Sequence, residues 1–137
     1  MLKMHTLGHS FIPPSIHEDG LRYHGIAPTL SLIYRHGAVE TRAYNQVEVF
    51  KTATLFAKTE GIIPVPEPAH AIRAVIDEAI RCKRSNEEKT ILFLLCGHGL
   101  LDLKVCEDYF SGKLKPYEYP EEKIRRLLKG YTGHIHG

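Results

Sequence analysis

The 137-residue chain contains no apolar run near the roughly 18 to 20 residues needed to cross a bilayer. A membrane-spanning helical protein is thereby set aside. Its start, Met1-Leu2-Lys3-Met4-His5, holds no apolar segment of secretory-signal length. Cysteine is sparse: Cys82, Cys96 and Cys106 are an odd number without a CxxC pair. That argues against a disulfide framework and fits a reducing, cytoplasmic setting. Charge of one sign is also lacking. Eighteen basic residues against 16 acidic ones leave a formal net charge of +2, with no strong pull toward nucleic acid or anionic membranes. At 43% hydrophobic and 25% charged, the composition is that of a globular chain, and residues 1–137 are expected to form a single domain with a real core. Histidine alone is in unusual supply, with nine residues.

The stretch Thr90–Gly99, TILFLLCGHG, organises the rest. Ile91 to Leu95 is a short apolar run closed by Cys96-Gly97-His98-Gly99, the pattern of a strand buried on both faces of a parallel sheet. Ligands of open α/β sheets bind just beyond the carboxyl ends of strands. Cys96–Gly99 would sit there, with glycines that permit a sharp turn or a close approach to a ligand.

Earlier in the chain, Leu2–Leu7 reads as a short strand, and Gly8–Gly20 as a long connection interrupted by Pro13-Pro14. Leu21–Gly25 ends in His24-Gly25, a second place for close backbone approach. Pro28 suits the first position of a helix reaching about His36, closed by Gly37. Val39–Tyr44 is a plausible strand. Asn45-Gln46-Val47-Glu48 reads as a capping box, with Asn45 accepting from the Glu48 amide, at the head of a helix reaching about Glu60. Its apolar line is Val47, Phe50, Ala53 and Ala57, widened by Val49 and Phe56; Leu55 falls on the polar side. Gly61 stops it. Pro64, Pro66 and Pro68 stiffen the crossing that follows, and Pro68 is expected to hold Glu67 outside the next helix, at its N-terminus. That helix, Ala69–Lys83, repeats Ile72, Val75, Ile76, Ala79 and Ile80 at helical spacing. After Gly99, Asp102 caps a helix from Leu103 to Phe110; Pro120–Lys129 makes a last helix, and Gly130–Gly137 should fray. The order implies an α/β fold, a partial parallel sheet flanked by helices. One good strand and two weak ones suggest that the remaining strands lie elsewhere.

Two separated motifs give the chain a family likeness. Glu60-Gly61-Ile62-Ile63-Pro64, then Glu67, then His70-Ala71, closely resemble the EGIIPxxExxHA segment of the tryptophan synthase beta subunit. Leu95-Cys96-Gly97-His98-Gly99 resembles the LSG(R/H)G segment that follows it there. His5-Thr6-Leu7-Gly8-His9, Pro13-Pro14, His17 and Gly20-Leu21-Arg22-Tyr23-His24-Gly25 resemble the second, more divergent type of that subunit. The likeness covers nearly all of this chain but only about the last third of the family's sequence.

What the resemblance implies is the C-terminal portion of a fold-type II, pyridoxal-phosphate-dependent enzyme that makes tryptophan from serine and indole by β-replacement. Glu67 would lie near the cofactor ring. Cys96 would replace the serine that hydrogen-bonds the pyridine nitrogen. Gly97, His98 and Gly99 would carry the backbone beneath the ring, and the carbonyls around Tyr23 and Gly25 would correspond to a monovalent-cation site. The departures are equally definite. The Schiff-base lysine in its HKxN-like setting and the GGGSN-like phosphate loop are absent, and Leu94-Leu95-Cys96 stands where the family has Asn-Leu-Ser. A thiol is a weak donor, and without the phosphate loop the cofactor loses its main anchor. The expectation is a chain that binds no pyridoxal phosphate tightly alone, is inactive alone, needs a separate N-terminal half, and self-associates as a dimer or larger oligomer.

Plainer readings stand beside these. Glu67 would serve as a helix N-terminal acid, Cys96 as a buried small hydrophobe, Gly97 and Gly99 as strand terminators. His5, His9, His17 and His24, with His134 and His136, would be ligands of a zinc site, though their spacing matches no compact zinc motif. Cys96 with His98 or His70 would be a nucleophile–base pair that lacks a visible third group. Lys123, Arg125, Arg126 and Lys129 read as a solvated face.

Overall fold

A computed structural model describes residues 3–17 and 19–129. These divide into two compact units, one built from residues 3–15, 20–41 and 118–129, the other from 16–17, 19 and 42–117.

In the first unit, residues 5–7 run antiparallel to 24–26. Leu7 N–H donates to the His24 carbonyl at 2.8 Å and Ile26 N–H to the His5 carbonyl at 3.1 Å. This isolated Thr6–Gly25 bridge is the β pairing found among the described residues. Helix α1, Pro28–Arg35, begins at a proline whose missing N–H would have been unsatisfied anyway. It is released at Gly37, φ +71°, in the left-handed region. The Ser31 hydroxyl, buried on α1, accepts from the His5 amide at 2.9 Å and fastens the helix to the bridge. The long connection after Gly8 is anchored by buried Phe11, whose ring meets His24 and Tyr119 edge-on. Helix α5, Glu121–Lys129, leaves Lys123, Arg125, Arg126 and Lys129 exposed, the solvated face that its charges imply.

The second unit is helical. Helix α2, Gln46–Glu60, is capped by Asn45, whose side chain accepts from Val47 N–H at 3.0 Å and not from Glu48, so the capping box is replaced by a simpler cap. Gly61, φ +71°, ends it. Helix α3, Pro66–Ser85, starts earlier than its apolar period suggests. Pro66 takes the first helical position, and Pro68 falls in the first turn, where backbone N–H groups have no intrahelical partner. Glu67 is consequently inside the helix rather than held before it. Asn86, φ +53°, supplies a left-handed cap that the polar loop concealed. Val49, Phe50, Ala69, Ile72, Cys82 and Val105 form the core. Phe50 stacks on Tyr109 of helix α4, Leu103–Phe110, with centroids 5.6 Å apart. Asp102 stands at the head of α4 without a side-chain cap bond. Tyr44 O–H donates to Asp77 at 3.0 Å, with Arg73 over its ring, and so fixes the entry to α2 against α3.

The expected parallel sheet is not seen among the described residues. Leu2–Leu7 contributes only the bridge, within its described part, and Val39–Tyr44 and Ile91–Leu95 pair with nothing as strands. Leu55 and Ile80 are exposed, so α2 and α3 each keep an uncovered apolar position. The Gly130–Gly137 expectation lies outside the described residues.

Candidate functional site

The second unit brings the two motif-bearing segments into contact. After Gly61 releases α2, Ile62–Val65 crosses toward α3, and Gly99 N–H donates to the Ile63 carbonyl at 2.7 Å. A Cβ on Gly99 would lie 2.5 Å from Ile63 Cγ2 and 2.9 Å from the Pro64 oxygen. One on Gly97, φ +80°, would lie 2.8 Å from Val65 Cγ2. Glycine is required at both positions because one stretch of chain presses on another. The same holds at Gly25, where an added Cβ would meet the His5 oxygen at 2.7 Å. The turn at Gly97, φ +80°, is the sharp turn expected there.

The side chains around this junction are disposed unequally. His98 turns back on the chain, its Nδ1 accepting from Leu100 N–H at 3.3 Å to cap the short 3-10 turn Gly99–Leu101. Glu67 is half-buried in the first turn of α3. His70 Nδ1–H donates to the Pro66 carbonyl at 2.9 Å, which ties the ring to its own helix. Cys96 is exposed, contrary to the reading as a buried hydrophobe, because the run before it is covered on one side only. Tyr23 is exposed, and the His24 carbonyl between Tyr23 and Gly25 is taken by Leu7 N–H and the Thr6 hydroxyl.

Beside the junction lies a largely apolar cavity of about 470 Å³, bounded by Phe50, Ala57, Lys58, Gly99, Cys106 and Tyr109 among others. Burial pushes the Cys106 thiol up from its ordinary pKa, with the Asp102 charge adding to the effect. Of the motif residues Glu67, Cys96, Gly97, His98 and Gly99, only Gly99 borders it. Its walls come from α2 and α4, whose apolar periodicity reads in sequence as ordinary core, and from the crossing Gly61, Ile63 and Pro64 of the first motif.

The donors present do not fit a whole pyridoxal phosphate. An exposed thiol and a helix-terminal carboxylate suit one edge of a pyridine ring. The Gly99 N–H is taken by the Ile63 carbonyl, and Gly97 and Gly99 press on Val65 and Ile63. No glycine cluster offers the converging amides that a phosphate requires. Among the described residues, no three His, Cys, Asp or Glu side chains gather to hold a metal ion, so His5, His9, His17 and His24 are not collected; His134 and His136 lie outside them. No helix among them is long and apolar enough to cross a membrane.

What these features define is a helical unit that carries a motif junction with incomplete ligand chemistry, next to an extended apolar run that pairs with no strand among the described residues. No family model matches the chain. Curated relatives do. It is 62% identical over 117 residues to the tryptophan synthase beta chain of Pyrococcus horikoshii, a match covering 85% of this chain and 26% of that protein. It is 60% identical over 127 residues to tryptophan synthase beta chain 2 of Pyrococcus furiosus, covering 93% of this chain and 28% of that protein. With tryptophan synthase beta chain 2 of Aquifex aeolicus the identity is 54% over 114 residues. The chain belongs to the tryptophan synthase beta chains and corresponds to their C-terminal part. It spans about a quarter of the length of the relatives it matches.

Proposed function

We propose that this chain contributes the ring-side portion of a pyridoxal-phosphate enzyme of fold type II that makes tryptophan from serine and indole, with residues 1–137 forming part of one cytoplasmic domain. The supporting observation is 62% identity over 117 residues, in which both motifs are present and docked through Gly99 and Ile63. On this reading Glu67 lies near the cofactor ring, Cys96 faces its nitrogen, and Gly97, His98 and Gly99 carry the backbone beneath it. The carbonyls of Tyr23 and Gly25 are assigned to a monovalent cation. The lysine that bonds the cofactor and the loop that grips its phosphate belong to a separate N-terminal half. The chain alone is inactive because it supplies neither.

Mixing the chain with the portion of the P. furiosus relative outside the match, and following tryptophan formation from serine and indole, tests this reading. Product from the mixture and from neither piece alone is expected. A folded, stable complex that makes no tryptophan would contradict it. Exposed Ile12 and Leu101, at 83% and 94%, favour a second reading, a non-catalytic remnant that self-associates as a dimer.

A further inference from the structure

The cavity of about 470 Å³ beside the junction is walled entirely by residues of the second unit. Helix α2 gives it a single stripe, Phe50, Ala53, Ala57 and Lys58, and α4 gives it Leu103, Cys106 and Phe110 at helical spacing. The two helices meet where Phe50 stacks on Tyr109. Further along α2 the stripe shrinks to Ala53 and Ala57, which leaves space where larger side chains would have closed the gap. Phe110 stands edge-on to Tyr109, centroids 5.4 Å apart, so three aromatic rings border that space. Its volume lies in the range of small-molecule pockets, about 300–1,000 Å³. The polar groups on its walls are largely engaged. The Thr54 hydroxyl donates to the Phe50 carbonyl at 2.9 Å, and Gly99 N–H to the Ile63 carbonyl. Asp102 is engaged within the chain. Lys58 is the exception: exposed in the last turn of α2, its ammonium has no hydrogen bond or ion pair among the described residues.

We propose that this cavity binds a small carboxylate with an apolar, ring-bearing body, the ring packed among Phe50, Tyr109 and Phe110 and the carboxylate paired with Lys58. The site is separate from the proposed function above and does not depend on it. Charge and wall chemistry select this occupant. The apolar walls reward burial of a hydrocarbon body, and aromatic neighbours favour a ring, which can stack or meet them edge-on. An anionic head complements the unpaired Lys58, whereas a cationic head would meet like charge at the rim. A polypeptide segment fits poorly, because it would bring backbone N–H and C=O groups against walls whose own polar groups are already bonded.

The test is calorimetric titration of the full chain with 4-phenylbutyrate, 4-phenylbutanol and 4-phenylbutylamine, three probes with one body and different heads. Phenylbutyrate should bind one-to-one with a Kd below about 1 mM. The alcohol should bind about 3- to 5-fold more weakly, the worth of an exposed ion pair, and the amine more weakly still. Lys58→Gln should cost phenylbutyrate the same factor and leave the alcohol unchanged. Ala57→Leu keeps a good helix former but fills the space, and should weaken all three probes by about 10-fold or more. A further readout needs no variant to fold: saturating phenylbutyrate should slow alkylation of Cys106 by about 10-fold and leave exposed Cys96 unaffected. Non-saturable uptake, an amine that binds as tightly as the acid, or unchanged Cys106 reactivity would overturn the proposal. So would a folded Ala57→Leu chain that binds like wild type, or affinity that falls as protein concentration rises, the mark of a second copy in the cavity. Tryptophan formation enters none of these readouts, so either reading can fail without the other.

Discussion

Replacing Gly99 by alanine tests the motif junction at its tightest point. The new methyl carbon would lie 2.5 Å from Ile63 Cγ2, 2.9 Å from the Pro64 oxygen and 3.0 Å from the Ile63 oxygen. Two of these neighbours are backbone and cannot rotate aside. Gly99 must retreat, which stretches its 2.7 Å hydrogen bond to Ile63. Overpacking of this kind costs about 1–3 kcal/mol, and a weakened hydrogen bond adds about 0.5–1.5 kcal/mol. The sum, roughly 2–4 kcal/mol, is a large part of a small domain's stability. Gly112 is the control: it has φ +70° but nothing within 4 Å of an added Cβ, so alanine there incurs only left-handed strain, about 1–2 kcal/mol. Urea unfolding followed by the helical signal should place the Gly99→Ala midpoint about 1–2 M below wild type at an m-value near 2 kcal/mol/M. Gly112→Ala should shift it by less. Equal midpoints for the two variants would refute the argument that chain-on-chain packing fixes glycine at position 99.

Other perturbations follow from the same contacts. Asn45→Ala should destabilise α2 by about 1 kcal/mol, measurable in the same unfolding experiment, while Asn45→Asp should keep the cap at Val47. Hydrogen bonds from Arg81 and Lys104 hold the Glu78 and Asp108 carboxyls below their ordinary values. Both groups therefore stabilise the fold above the usual carboxylate range and lose that contribution as pH falls through their lowered values; Glu78→Gln should flatten the acid side of the stability profile. Iodoacetamide with peptide mapping should modify exposed Cys96 first, then half-buried Cys106 with its raised pKa, and Cys82 last. Cys106 reacting first would contradict the enclosed position assigned to it.

Helices were legible where local chemistry decides them. Pro28 and Gly37 bracket α1, Asn45 and Gly61 bracket α2, and each leaves a mark in one or two residues. Their covering was less legible. Ile72 is buried, but Ile80, on the same apolar stripe of α3, is exposed, because burial depends on what packs above a helix and not on its period. The start of α3 lies earlier than expected. The residue before a proline is disfavoured in the helical region, so Pro68 reads as the first helical residue with Glu67 outside. Instead Pro66 takes that place, and Pro68 falls in the first turn, where its missing N–H has no intrahelical partner. The strand Ile91–Leu95 shows the converse. Its sequence asks for two covered faces and two paired edges, and the described residues cover one face. At the candidate site the sequence marks the two motifs but not their contact, and the packing of Gly97 and Gly99 emerged only from the atoms opposite them. Ligand approach and internal packing select glycine for the same steric reason, and no sequence distinguishes the two. The α2 and α4 walls of the cavity beside them were not legible, since cavity walls and core share one composition; its other wall is the motif crossing Gly61, Ile63 and Pro64.

A native mass spectrum of the chain with pyridoxal phosphate, before and after addition of the non-matching P. furiosus portion, bears most directly on the central claim. The account predicts no stoichiometric cofactor on the chain alone, and a one-to-one complex carrying one cofactor once the other portion is present. A stoichiometric pyridoxal phosphate adduct on the isolated chain would contradict it.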